Sequence, residues 1–301
     1  MAVRRYGPYT VETSNEDKVL FPDDGITKGE LIEHYAALAD VMLPHLEGRP
    51  LVMHRFPDGI GEEGFYHKDA PDHFPDWIRT ESMRKEDGRV RHVLVDNAAT
   101  LAYVANQGCI TPHVWLSRVD EPERPDRIVI DLDPPGDDFE PVRSAARRVA
   151  DRLEDLGLAV ALQVTGSRGI HVVCPIRREA DFAEVRGLIR AVAGELAEKH
   201  ADELTVAQRT AKRGDRVYLD CGRNAWAQTM VAPYAVRARP GAPVATPIDR
   251  DELDDPDLHS RRWTIRTIGR RLAQREDPWR GLGRHARSIG GIGERVGGGD
   301  G

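Results

Sequence analysis

The stretch "IVIDLDPPGDD", Ile128–Asp138, constrains this chain more than any other. Its apolar residues describe a buried strand. Side chains alternate faces along a strand, so Asp131 and Asp133 share one face while Ile130 and Leu132 share the other. Two like charges held that close repel, and a divalent metal between them is the usual relief, because hard cations take carboxylate oxygens. A second reading is equally open at this point. The strand could simply run out into a solvated acidic turn, broken by Pro134 and Pro135, with Asp137 or Asp138 capping the next helix.

The flanking pattern decides the fold class. Thr27 with Glu30 forms a capping-box pattern that opens an amphipathic helix through "ELIEHYAALADVMLPHL". "RPLVMHRFP" reads as a strand, "RVRHVLV" as another, "NAATLAYVANQG" as a helix and "ITPHVWLSR" as extended. After the acidic strand comes a helix from about Phe139 to Leu156, stopped by Gly157 where a C-terminal glycine is expected. "LAVALQVTGSRGIHVVCPI" reads as two strands joined at Gly166–Gly169, and Asp181 with Glu184 caps the next helix. "RVYLD" and "QTMVAPYAVR" add two strands, and the tail "GGIGERVGGGDG" is too rich in glycine to pack. Hairpins mixed with helices predict an α+β fold rather than a doubly wound parallel sheet.

Composition narrows the class further. A chain of 301 residues with 31% charged residues fits a globular protein of one large domain or two intimate ones. No apolar run approaches a membrane span, and "MAVRRYGPYT" lacks a signal-peptide core, so the expected location is the cytoplasm. Cys109, Cys174 and Cys221 lie far apart with no CxxC pair, which argues against a disulfide framework or structural zinc. The net charge of −7 does not exclude nucleic acid, because binding follows the local field. "SRRWTIRTIGRRLAQRED" is strongly basic, although a solvated surface segment is a simpler reading of it than nucleic-acid contact.

Three stretches could converge on the acidic strand. Asp220 also ends an apolar strand in "RVYLDCGRN" and can supply a third carboxylate; three carboxylates suit two metal ions that clamp a phosphoryl transfer. In "VTGSRGIHV" the hydroxyls of Thr165 and Ser167, the Arg168 guanidinium, glycine-exposed backbone N–H groups and His171 surround one turn, a donor set that suits a triphosphate. Taken alone, that turn is an ordinary hairpin. In "TPHVWLSR", His113 shares a strand face with Thr111 and Trp115, where a core histidine is the simpler reading.

The ordered series "NEDKVLFP", "RFPDGIGEEGFYHKD", "TPHVWLSR", "IVIDLDPP", "VTGSRGIHVVCP" and "RVYLDCGRNAWAQTMVAPYAVR" resembles the polymerase domain of bacterial DNA ligase D, within the archaeo-eukaryotic primase superfamily. The resemblance covers about residues 10 to 280. It implies an α+β primase-like catalytic core of mixed and antiparallel sheets flanked by helices, over residues 121–285, with an N-terminal α/β module over residues 10–120. Together these would make one domain, 1–285, followed by a disordered tail, 286–301.

The resemblance also assigns roles. It implies that Asp131, Asp133 and Asp220 are catalytic and hold Mn2+ or Mg2+ as a two-metal site. His113, Thr165, Ser167, Arg168, Gly169, His171, Arg216, Gln228 and Arg237 match positions near the incoming NTP or dNTP and the template. Asn15 and Lys18 match the pocket for the 5′-phosphate of a gapped or broken DNA end, and Phe65 and Tyr66 match an aromatic pair that stacks there. The sequence departs from the family where a lysine commonly precedes "FPDGI": His54, followed by Arg55, stands there, and a neutral imidazole is a weaker phosphate partner. The implied activity is primer- and template-dependent nucleotide addition with a ribonucleotide preference. It would act in end joining, by a monomer near the nucleoid, with Ku and a DNA ligase as partners. A metal-dependent nuclease or phosphohydrolase could use the same carboxylates, and a non-catalytic DNA-end-binding module would dispense with them.

Overall fold

The β-branched run Ile128–Ile130 before Asp131 and the apolar Leu132 after it let the strand Arg127–Asp133 take a central place, paired along both edges. The computed structural model of the protein describes residues 1–85 and 88–296. It is an α+β fold, as the sequence predicts, divided into two compact units.

The unit that holds the acidic strand comprises Glu121–Gln228, Thr246–Arg262 and the chain from Glu276 onward. Its six-stranded sheet runs in the order Leu204–Thr205, Val217–Asp220, Arg127–Asp133, Ile170–Pro175, Ala161–Val164, Thr246–Ile248. All neighbours are antiparallel except the first pair, which is parallel. The helices Glu140–Asp155 and Phe182–Lys199 contact the sheet and each other. The first buries Val142, Ala145, Ala146, Val149 and Leu153 at helical spacing. Asp181 caps the second, accepting from the backbone N–H groups of Ala183 and Glu184. Gly157 ends the first at φ +82°, a conformation that only glycine adopts cheaply.

The other unit comprises Met1–Asp120, Thr229–Ala245 and Trp263–Arg275. Its four-stranded antiparallel sheet runs Thr229–Val231, Cys109–Trp115, Leu51–Arg55, Phe65–His67. The hairpins Ala2–Tyr6 with Tyr9–Thr13 and Thr80–Lys85 with Gly88–Val93 belong to this unit, as does the helix Ala98–Asn106, capped by Asn97.

Four details differ from the sequence reading. The first helix is two: Lys28–Ala37, opened by the Thr27/Glu30 capping box, and Ala39–Leu46, separated where Leu38 takes ψ 6°. The N-terminal module is not the uninterrupted stretch 10–120, because Thr229–Val231 returns to complete its sheet. "QTMVAPYAVR" keeps only those three residues as strand, since Tyr234 turns the chain at φ +65°. The tail is packed as far as it is described: Ile292 is buried in a short helix, Ile292–Arg295, and Arg295 donates to the Leu156 carbonyl. The expected disorder at residues 297–301 lies outside the described residues.

Candidate active site

The register of the second unit places Asp131 directly opposite Asp220 on one side and His171 on the other. Residues directly opposite on neighbouring antiparallel strands point to the same face, so these three form a row across the sheet. Asp133, two residues along, shares that face. The His171 Nε2 lies 3.5 Å from the Asp131 carboxylate. Its Nδ1 is buried with no hydrogen-bond partner among the described residues.

Electrostatics single out Asp133. Its carboxyl is pushed above the ordinary range first by burial, then by the charges of Asp131 and Asp220, with Arg213 and Arg168 acting in the opposite direction. Each aspartate leans on a partner of its own. Asp131 lies 3.7 Å from Arg223 Nε, Asp133 lies 3.8 Å from Arg213 Nη1, and Asp220 accepts from the Gly222 N–H at 2.7 Å. The expected metal cage is therefore not assembled as the side chains stand: among the described residues no three His, Cys, Asp or Glu side chains converge tightly enough to hold a metal ion. The donor set nevertheless suits a hard divalent cation, since it is all carboxylate oxygen and the repulsion felt at Asp133 is what such a cation relieves.

The turn Thr165–Gly169 is pressed against the acidic strand. A Cβ on Gly169 would meet the Leu132 carbonyl oxygen at 1.8 Å, so no side chain fits there. Arg168 donates to the Pro134 carbonyl at 3.0 Å. Thr165 is buried, and its Oγ1 accepts from the N–H groups of Ser167 at 3.3 Å and Gly169 at 3.2 Å and meets Ser260 Oγ at 3.3 Å. That hydroxyl is committed to the turn, unlike the phosphate contact expected of it.

Two further residues of this unit were expected near the nucleotide. Gln228 is exposed. Arg216 instead donates to the backbone carbonyls of Arg213, Lys212 and Ala201, so it braces its own loop. Arg213 and Arg223 are the guanidinium groups that meet the aspartates. Sequence reasoning passed over both, although Arg223 follows Asp220 by three residues.

The first unit carries a different set. Asn15 is exposed at φ +51°, and its carbonyl accepts from the Lys18 N–H. The Lys18 Nζ meets Asp58 at 2.6 Å. Lys28, which the sequence reading missed, is buried, with its Nζ 3.2 Å from the Asn106 carbonyl and 3.5 Å from Ser14 Oγ. Burial and then the charge of Lys18 lower its pKa. The signal was present: a lysine at the first position of a helix opposes the helix dipole and calls for a reason.

His54 does not stand in for a lysine. Its ring stacks on Tyr66 at 4.2 Å and 10°, and burial followed by the charge of Arg237 lowers its pKa. Arg55 is committed as well, donating to the Gln107 carbonyl and to His67 Nδ1 beneath Phe65. Phe65 and Tyr66 are exposed, and His113 meets the Tyr66 ring edge-on at 5.7 Å.

A family model described as "LigD, primase-polymerase domain" matches residues 27–279, most of the chain. The chain belongs to the LigD primase-polymerase domain family. That domain is a nucleotidyltransferase of the archaeo-eukaryotic primase type, and the family is generally metal-dependent. The chain is 33% identical over 256 residues to the multifunctional non-homologous end joining protein LigD of Mycolicibacterium smegmatis, covering 84% of this chain and 34% of that protein. It is 31% identical over 272 residues to the LigD of Pseudomonas aeruginosa, covering 89% and 32% respectively. It thus spans about a third of the length of these relatives. Among solved structures, the polymerase domain from Mycobacterium tuberculosis ligase D in complex with DNA matches with a TM-score of 0.86 and 32% identity, over 92% of this chain and 99% of that one. No helix among the described residues is long and apolar enough to cross a membrane.

Proposed function

We propose that this chain adds nucleoside monophosphates from NTPs, in preference to dNTPs, to a primer 3′-hydroxyl at gapped or broken DNA ends during non-homologous end joining. The observation that carries this reading is the row Asp220, Asp131, His171, with Asp133 strained by both carboxylates and a donor-rich turn fixed against the same strand.

In this reading Asp131, Asp133 and Asp220 hold manganese or magnesium, which when bound neutralises phosphate charge and lowers the pKa of the primer hydroxyl. The chain's own groups do the positioning. His171 offers its partnerless buried Nδ1 to the phosphates, joined by the Ser167 hydroxyl and Arg168. Arg213 and Arg223 exchange aspartate for phosphate as the ligand arrives. His113, Gln228 and Arg237 contribute to the nucleotide and template. On the first unit, Asn15, Lys18 and Lys28 hold the 5′-phosphate, while Phe65 and Tyr66, the latter backed by His54, stack on bases of any identity. Ku and a DNA ligase are the partners this role calls for, with the protein acting as a monomer in the cytoplasm at the nucleoid.

The test is extension of gapped, 5′-phosphorylated duplexes with each NTP and dNTP, in magnesium and in manganese. Templated single-nucleotide addition, stronger with ribonucleotides, is the expected result. Primer shortening, or DNA binding with no addition in either metal, would replace it with the nuclease or the non-catalytic reading.

A further inference from the structure

The segment Leu258–Arg262, which runs into the basic stretch "SRRWTIRTIGRRLAQRED", is bonded to the Thr165–Gly169 turn. Ser260 is buried, and its Oγ meets Thr165 Oγ1 at 3.3 Å. Thr165 Oγ1 also accepts two backbone N–H groups of the turn, so the contact with Ser260 ties that segment to the turn's own hydrogen bonds. The next residue, Arg261, donates its Nε to the Ser167 carbonyl at 2.9 Å, and its backbone N–H donates to His259 Nδ1 at 3.3 Å. Arg262 pairs with Asp255 at 2.5 Å, and Arg143 of the long helix donates to the Asp255 carbonyl, so the segment is anchored at both ends. Arg261 itself is exposed, and no carboxylate among the described residues lies within ion-pair distance of it.

That separates Arg261 from the other guanidinium groups of the site. Arg213 faces Asp133, Arg223 faces Asp131, and Arg168 reaches the Pro134 carbonyl at the end of the acidic strand. With Nε spent on Ser167, Arg261 has both terminal nitrogens free to form the two-pronged contact that guanidinium makes with phosphate oxygens. Its place also orders it. Arg168 holds the Pro134 carbonyl, one residue past Asp133, whereas Arg261 holds the Ser167 carbonyl within the turn, so Arg168 is attached nearer the aspartates than Arg261.

We propose that Arg261 reads the terminal phosphate of the incoming nucleoside triphosphate. The proposal rests on the reading above in which the triphosphate lies along the Thr165–Gly169 turn. The phosphate under attack must sit at the aspartates, so the arginine farther from them meets the phosphate farthest from the reaction. Ser260 is a positioning residue: through Thr165 it fixes the turn whose carbonyl aims Arg261.

The test compares binding of ATP, ADP and AMP to the full chain by calorimetry, in manganese and without primer so that no turnover occurs. Removing one charge-assisted hydrogen bond weakens binding roughly ten- to a hundredfold. Arg261→Ala is expected to weaken ATP by that factor and leave ADP and AMP within about twofold. Arg261→Lys, which keeps the charge but not the fork, should fall between. Equal weakening of all three nucleotides by Arg261→Ala would make Arg261 only a prop for the Ser167 carbonyl and would overturn the proposal, as would unchanged ATP binding. His171→Ala separates the two levels. If it weakens all three while Arg261→Ala spares ATP, only the Arg261 assignment fails; if it weakens none, the nucleotide does not lie on the turn and both readings fall.

Discussion

Asp131 and Asp220 face each other across two antiparallel strands as direct register partners, and the Asp133 carboxyl is pushed upward by burial and then by the charges of both. Nothing in the hydrogen-bonding of a sheet asks for this, and like charges directly opposite destabilise a strand pair. Asp131→Asn or Asp220→Asn should therefore abolish nucleotide addition, by at least about a hundredfold in kcat, because charge neutralisation in the transition state is lost. DNA affinity, measured by fluorescence anisotropy, should stay within about threefold, since phosphate contacts to basic residues supply most of it. Retained extension by a folded variant would refute the assignment.

Asp133 carries the opposite signature in stability. Its folded pKa is raised, so its ionisation costs stability that is intact below the ordinary carboxylate pKa and lost as pH rises through the folded value. Asp133→Asn should abolish activity yet stabilise the fold at pH 7, by no more than about 1 kcal/mol once solvent screening of this partly exposed group is allowed for. The gain should vanish only once pH falls well below the ordinary carboxylate pKa, at about pH 3. Thermal melts at the two pH values measure it directly.

Lys28 should matter more than its burial suggests. Two amines, one of them with a pKa lowered by burial and then by the charge of the other, make an anion site, so Lys28→Met should reduce the preference for a 5′-phosphorylated gap over an unphosphorylated one about tenfold or more. The slope of log K against log salt should fall by a little under one unit for each phosphate that the variant no longer neutralises. Matched oligonucleotides with and without the phosphate read both quantities.

His54 is stacked on Tyr66, and burial followed by the charge of Arg237 disfavours its protonated form. The preference for a 5′-phosphate should therefore not depend on protonation of this ring. His54→Ala should instead weaken binding to all gapped ends alike, by about 1 kcal/mol of stacking support withdrawn from Tyr66. A preference that climbs as pH falls would show that protonated imidazole meets the phosphate after all.

The acidic strand and the shared face of Asp131 and Asp133 were readable from sequence because period-two alternation is fixed by backbone geometry, and "RVYLD" repeats the apolar-then-acid ending of "IVIDLD". The capped helices were readable because Thr27, Asn97 and Asp181 act within a few residues. What escaped was set by distant contacts. That Arg213 rather than Arg216 meets an aspartate follows from the folded path of the segment 206–216, where both guanidinium groups hold backbone carbonyls and only Arg213 also reaches Asp133. The commitment of Thr165 to Ser260 spans 95 residues, and the stacking of His54 on Tyr66 follows from a strand register that alternation alone does not specify.

The return of Thr229–Val231 to the sheet begun at Leu51–Arg55 bears on how the protein is made. During synthesis the strand Cys109–Trp115, buried along its whole length in the finished fold, emerges more than a hundred residues before the strand that covers its free edge. Until then the nascent first unit presents an unpaired apolar edge, the kind of surface that recruits other chains. The ribosome must therefore deliver most of the second unit before the first can close, and a fragment ending at Asp120 would be expected to aggregate rather than fold alone.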